Sequence, residues 1–170
     1  LDSKIELTKL ANKAGIDSAP NVLGKADSFE ELMKVANKGK LGNDLVVQTP
    51  YGDSGRTTFF IKAEADWNKN AKEMKGEQLK IMKRINHMPG TMEVCVTRHG
   101  TISGPIQTDI TGFEEITPYK GGWCGNDVWP KIFNAKIRRD LRNIASKLGD
   151  QLFQEGYKGV FCMDFLLDTD

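Results

Sequence analysis

The sequence predicts an α+β fold, in which short strands of β-branched and aromatic residues are separated by amphipathic helices. Three observations carry that reading. Two Ser-x-x-Glu boxes, Ser3 to Glu6 and Ser28 to Glu31, each open an apolar-periodic segment, as helix N-termini do. Two short apolar runs, LVV (45–47) and FFI (59–61), flank a long polar loop and read as strands. From Asn134 onward an apolar stripe of helical period runs to a stop at Gly156, and GVFCMDFLL follows as a strand.

The elements follow in order. The first helix presents Leu7, Leu10, Ala11 and Ala14 and stops at Gly15; the second presents Phe29, Leu32, Met33, Val35 and Ala36 and ends near Gly39. A strand–loop–strand unit spans Leu45 to Ile61. A polar helix from about Ala65 to Met74 comes next, then a strand over Leu79–Ile85. Met92–Thr97 alternates as a strand, Gly100 turns the chain, and Ile102–Thr108 is its partner. The glycine-rich stretch from Gly112 to Pro130 reads as irregular. The longest helix, capped by Asn134, places Ile137, Leu141, Ile144, Ala145, Leu148 and Leu152 on one face, and Gly159–Leu167 closes the series. No repeat or low-complexity segment interrupts it.

Composition narrows the function classes. Lys+Arg (24) and Asp+Glu (23) nearly cancel, so no basic face for nucleic acid or an anionic membrane is expected. No apolar run reaches transmembrane length. Cys95, Cys124 and Cys162 are odd in number and lack paired spacing, which argues against a disulfide framework or a structural zinc and suggests a reducing, cytoplasmic setting. The first residue is Leu1 and no signal pattern follows it, so the chain is expected to begin within a longer protein.

The loop QTPYGDSGRTT (48–58) is longer than a hairpin needs. A mobile loop without a ligand is one reading. GDSG also begins a serine-peptidase signature, but Arg56 and Thr57 break it and both histidines, His87 and His99, follow the serine rather than precede it. A P-loop fails because no Gly-Lys-Ser/Thr follows and the loop leads into a strand. The remaining reading is a flap that folds over phosphates, since glycine lets main-chain N–H groups approach an anion unobstructed.

Other residues weigh as follows. His87 and His99 read as loop residues without ligand spacing, and Cys124 has no basic helix terminus to activate it. Trp123 reads as packing a loop on the core, and Lys120 as either solvated or phosphate-directed. Asp164 lies mid-strand between Met163 and Phe165, facing away from both. On a central strand, an unpaired acid there is costly as structure and better explained as a metal ligand. Asp168 and Asp170 read as turn residues after that strand. Glu93 either meets Asp164 or pairs with a lysine. Val46, Ile85 and Leu166 are core residues by composition.

Taken in order, these segments resemble the ATP-grasp superfamily, most closely its biotin-carboxylase-like branch. The capped helix ending in AGI is similar to the family's opening segment and puts Lys4 at its first ATP-binding lysine. LVVQTPYGDSGRTTFF is similar to the glycine-rich lid, with Gly52, Ser54, Gly55 and Arg56 in the flap. MKRIN (82–86) falls at the hinge that receives adenine, bringing in Lys83, Arg84 and Ile85. EVCV, with Glu93, resembles the strand opening the second lobe, and GVFCMDFLL the strand whose acid, here Asp164, ligates magnesium. Val46, Ile85 and Leu166 would then sandwich the adenine.

The resemblance implies three segments: opening helices over 1–40, a lid over 41–86 with its flap at 50–57, and the start of a second lobe over 87–170. ATP and Mg2+ (or Mn2+) would be the cofactors, and a small carboxylate or bicarbonate would receive the phosphoryl group. Lys4 and Arg56 would steady the developing charge, with ATP between the lid sheet and the sheet of Glu93 and Asp164. The remaining partner would be the rest of the same protein, a Rossmann-like domain before and a segment after, without which the fragment is expected to be inactive. Two departures stand out. The second ATP lysine of the family is Gln48 here, and no Glu-x-Asn motif occurs before Asp170. Gln48 supports an alternative, a nucleotide-binding regulatory domain without ligase activity; a pure interaction domain is a third.

Overall fold

The computed structural model describes residues 3–53 and 55–169, so Ser54 of the flap and Asp170 lie outside the described residues. The chain divides into two compact units. Unit 1 comprises Leu1–Lys9, Ser18–Ile85 and Tyr119–Gly122; unit 2 comprises Leu10–Asp17, Asn86–Pro118 and Trp123–Asp170.

In unit 1 the chain runs through α1 (Lys4–Lys13, whose last turn belongs to unit 2), β1 (Asn21–Gly24), α2 (Phe29–Lys38), β2 (Leu45–Gln48), β3 (Thr58–Ile61), α3 (Glu64–Met74) and β4 (Leu79–Lys83). The strands form one antiparallel sheet in the order β1-β4-β2-β3. Both expected caps form: Ser3 Oγ accepts from the Glu6 amide at 3.3 Å and Ser28 Oγ from the Glu31 amide at 3.2 Å. Glu31 turns its carboxylate back to the Asp27 amide (2.8 Å), so that box closes one residue early. At α3 the N-cap is Ala63, and Asp66 Oδ2 instead accepts from the amides of Lys62 and Ala63, both at 3.0 Å. Those two hydrogen bonds hold the Asp66 carboxyl below its usual range.

Alternation then decides which face of this sheet is dry. Leu45 and Val47 on β2, Phe59 and Ile61 on β3, and Leu79 and Ile81 on β4 point to one side, where α2 and α3 cover them with Leu32, Ala36, Trp67 and Met74. At about 25 cal/mol per Å2 of apolar surface removed from water, each fully buried Leu or Ile contributes roughly 1.5–3 kcal/mol. The alternate residues, Val46, Gln48, Thr58, Phe60 and Lys80, face the other side and remain half-buried.

Unit 2 contains β5 (His87–Thr97), β6 (Gly100–Thr111), β7 (Trp123–Asp127), α4 (Ala135–Gln154) and β8 (Gly159–Asp168), its sheet ordered β7-β6-β5-β8. Asn134 caps α4 through Oδ1, which accepts from the Ile137 amide at 2.9 Å. Leu141, Ala145, Leu148 and Leu152 pack on Met92, Val94, Val96, Ile106 and Met163. Gly149 allows that approach, because a Cβ there would meet Thr101 Oγ1 at 2.2 Å. The β5–β6 ladder slips between Met92 and Val94, so that Gly104 and Pro105 bulge opposite Glu93. Pro105 has no N–H to donate, which is why the pairing breaks there.

Several expectations are corrected. β7 forms within the stretch expected to be irregular, and β1 was not foreseen. The strand at 79 ends at Lys83 rather than Ile85, while β5 and β6 run longer than expected. His87 begins β5 instead of lying in a loop, and Asp168 ends β8 instead of following it. Trp123 does not pack on a core: it stands on β7, 54% exposed. β8 is an edge strand and Asp164 is exposed, so the premise of a buried acid on a central strand fails. Among the described residues no helix is long and apolar enough to cross a membrane.

Candidate functional site

The face of the unit 1 sheet opposite its core is built by the period of its strands. Across one row, Leu23 on β1 lies opposite Lys80 on β4, Lys80 opposite Gln48 on β2, and Gln48 opposite Thr58 on β3. Across the next row lie Asn21, Met82, Val46 and Phe60. The first row is polar apart from Leu23 and adjoins the loop; the second is largely apolar. Gln48 Nε2 donates to Thr58 Oγ1 at 3.0 Å, which ties β2 to β3 at the base of the flap.

The flap folds back on itself. The Arg56 amide donates to the Asp53 carbonyl at 3.0 Å, and the Thr58 amide to the Gly55 carbonyl at 3.2 Å. Gly52 (φ 141°) and Gly55 (φ 80°) adopt conformations that side chains disfavour. Space forbids a side chain as well. A Cβ on Gly52 would strike Thr57, and one on Gly55 would lie 2.6 Å from the Gly121 carbonyl oxygen. Lys4 fastens the flap to α1: its amide donates to the Pro50 carbonyl at 2.8 Å and its Nζ to the Gly52 carbonyl. Arg56 and Tyr51 are exposed. Thr57 Oγ1 is buried without a hydrogen-bond partner among the described residues.

Phe60 anchors the apolar row and is flanked by two cations. The Arg84 guanidinium lies 5.3 Å from its ring centroid and the Lys120 ammonium 5.2 Å. Arg84 also approaches Asp44 Oδ1 at 3.7 Å, an exposed pair of little energetic weight. Lys83 is exposed and donates its amide to the Pro20 carbonyl; Ile85 is half-buried. Lys80 belongs to no recognisable motif in the sequence. Burial and the charge of Lys4 together push its ammonium below the usual lysine range.

The open face of the unit 2 sheet is acidic. Asp164 on β8 lies opposite Thr91, whose hydroxyl donates to Asp164 Oδ1 at 2.9 Å, and Glu93 lies opposite Cys162. Glu93 and Asp164 are thus on neighbouring strands of one face. Asp109 joins them from β6, accepting from Asn126 Nδ2 at 2.6 Å. Burial and then the Asp164 charge raise the Asp109 carboxyl above its usual range. Burial, Asp164, Glu93 and Asp109, in that order, push up the Cys162 thiol. Leu166, expected in the core, stands on this open face, 45% exposed. Val46 likewise faces away from the unit 1 core.

The first row and the flap offer cations and glycine-exposed amides, which suit phosphate, and the second row offers apolar surface, which suits a base. Asp164, Glu93 and Asp109 are hard oxygen donors suited to Mg2+, an ion that takes one or two carboxylates plus phosphate oxygens. Among the described residues no three His, Cys, Asp or Glu side chains converge closely enough to hold a metal by themselves. Lys80 and Asp109 were legible in principle. Lys80 alternates with Leu79 and Ile81, and Asp109 continues the Gln107 face once β6 is extended.

No protein-family model matches this sequence, and no curated protein sequence matches it. Solved structures do. Carboxyaminoimidazole ribonucleotide synthase from Aspergillus clavatus, complexed with ATP, superposes at TM-score 0.81 with 18% identity, over 99% of this chain and 42% of that one. Biotin carboxylase from Campylobacter jejuni, in a β,γ-ATP complex, gives TM-score 0.80 and 18% identity over 99% and 38%. The biotin carboxylase domain of Hydrogenobacter thermophilus 2-oxoglutarate carboxylase, with MgADP, ADP and bicarbonate, gives 0.74 and 16% over 99% and 37%. The fold is that of the ATP-grasp enzymes, and the chain spans about two fifths of the length of these proteins.

Proposed function

We propose that this chain is part of an ATP-dependent ligase that activates a carboxylate or bicarbonate as an acylphosphate. The observation that carries the reading is the unit 1 face: a glycine-rich flap fastened by Lys4 beside a polar row, adjoining an apolar row around Phe60. Together with the ATP-grasp fold, that arrangement supports a phosphate chain under the flap and a base over Val46 and Phe60. On this reading residues 1–40 and 41–86 supply the opening helices and the lid, and 87–170 begin the second lobe.

ATP, when bound, supplies the phosphoryl group, and Mg2+ neutralises charge on its phosphates. The chain supplies position and fixed charge. Lys4 and Arg56 offset the negative charge that builds as the phosphoryl group moves, without reorganising at that moment. The flap amides would orient the phosphates, and the flap folded over them would exclude water. The Thr91 hydroxyl donates to Asp164 Oδ1, a carboxylate that would hold the cation, and Glu93 adds negative charge on the same face. The rest of the protein would bind the acceptor.

The full-length protein tests this with ATP, Mg2+, candidate carboxylates and hydroxylamine, which traps an acylphosphate as a hydroxamate. Acceptor-dependent hydroxamate and ADP are expected, and both should vanish in Asp164→Asn while the circular dichroism spectrum holds. Tight nucleotide binding with no ADP under any acceptor would instead establish the regulatory reading, which Gln48 favours because it is uncharged and already hydrogen-bonded to Thr58.

A further inference from the structure

β4 is an interior strand, with β1 on one side and β2 on the other, and Lys80 stands in its middle. Interior strands seldom carry a half-buried lysine, because an ammonium removed from water needs an anion or acceptors. Leu79 and Ile81, its neighbours in sequence, are fully buried on the opposite face, so the alternation leaves Lys80 no other direction. Its cross-strand neighbours are Leu23 and Gln48, and neither is an anion. Among the described residues no carboxylate pairs with it and no hydrogen bond to its ammonium is formed. The charge that it does feel is Lys4, another cation, and Lys4 is fastened to the flap at Gly52.

Two ammonium groups that feel each other's charge, one of them desolvated and without a partner among the described residues, raise the free energy of the protein alone. That arrangement is relieved by an anion lying between them. One carboxylate would neutralise only one of the two, whereas a phosphate chain matches both and also accepts from flap amides. We propose that Lys80, together with Lys4, binds the phosphate chain of the nucleotide. The charge absent at Gln48 is then delivered from the adjacent strand, one cross-strand step away. This inference rests on the nucleotide reading above and names a binding residue within it. It also accounts for Gln48, whose amide is engaged with Thr58 and leaves the space beside it to the Lys80 ammonium.

Calorimetric titration of the full-length protein with adenosine, ADP and a non-hydrolysable ATP analogue tests it, using Lys80→Gln and the exchanged pair Gln48→Lys/Lys80→Gln. Lys80→Gln should weaken the triphosphate by about 10- to 100-fold, the worth of one charge-assisted hydrogen bond. Adenosine should be unaffected, and the exchanged pair should recover most of the loss by returning an ammonium to the same row. Without nucleotide, Lys80→Gln should melt higher than the unsubstituted protein, because it removes an unpaired charge. An unchanged triphosphate affinity in Lys80→Gln overturns the inference while leaving the nucleotide reading intact; an equal loss for adenosine overturns it too, as general damage to the face. If the unsubstituted protein binds no nucleotide, the nucleotide reading falls, and inorganic tripolyphosphate then reads the anion site alone. Lys80-dependent tripolyphosphate binding would uphold the pair as an anion site, and its absence would overturn it.

Discussion

Gln48→Lys places a second ammonium directly across the ladder from Lys80. Residues opposite one another in an antiparallel pair have Cβ atoms about 4.5–5.5 Å apart, so two lysines there hold their charges roughly 6 Å apart. Coulomb's law at an effective dielectric constant of about 20 then gives a repulsion of about 3 kcal/mol. Flexible stems let the ammonium groups splay and relieve part of this. The substitution also removes the hydrogen bond from Gln48 to Thr58, worth about 1 kcal/mol. A net destabilisation of about 2–3 kcal/mol is expected at low salt without ligand, a fall of roughly 4–12 °C in melting temperature for a domain of this size. Salt should restore part of it, since the Debye length drops from about 30 Å at 0.01 M to about 10 Å at 0.1 M. Gln48→Met loses the hydrogen bond without adding charge and serves as the control. Scanning calorimetry at two salt concentrations, with and without tripolyphosphate, reads all of this, and polyphosphate should rescue the lysine variant most. If Gln48→Lys melts with Gln48→Met at low salt, or costs as much in a Lys80→Gln background, the two side chains are not neighbours and the reasoning fails.

Three further outcomes are expected. For Lys80 the folded state holds its proton less tightly than the unfolded chain. Stability without ligand should therefore rise with pH between the lowered folded value and the ordinary lysine value, and denaturant titrations across that alkaline window should lose the rise in Lys80→Gln. Asp109 is shifted the other way, so stability should fall as pH climbs from the ordinary aspartate value through the raised one. Asp109→Asn, which still accepts from Asn126, should flatten that slope in acid unfolding curves; an unchanged slope would mean that the carboxylate is well solvated. Thr57→Val replaces a buried hydroxyl, without a partner among the described residues, by a methyl group of similar size, and should stabilise the protein by about 1–2 kcal/mol in urea unfolding. A loss of stability would show that the hydroxyl does have a partner.

Much of the fold is written locally in this chain. Ser28 and Asn134 start their helices because a short oxygen-bearing side chain can satisfy an amide that the helix leaves open, and that needs only neighbouring residues. The alternation in LVVQ and GVFCMDFLL likewise decided, without tertiary knowledge, that Val47 faces a core while Gln48 does not, and that Asp164 opposes Met163. What alternation cannot state is which strand lies next to which. WCGND has no alternating apolar pattern and becomes β7 where the far end of β6 offers it a ladder. NVLG becomes β1 because β4 pairs with it across more than fifty residues. The same non-local pairing put Lys80 beside Gln48 and Asp109 on the face of Asp164, and it left β8 at an edge where an exposed aspartate costs little. Residue types and faces are thus local properties set by the chain's own period, whereas the meeting of charges across strands is decided only when the sheet order is chosen by the packing of the whole.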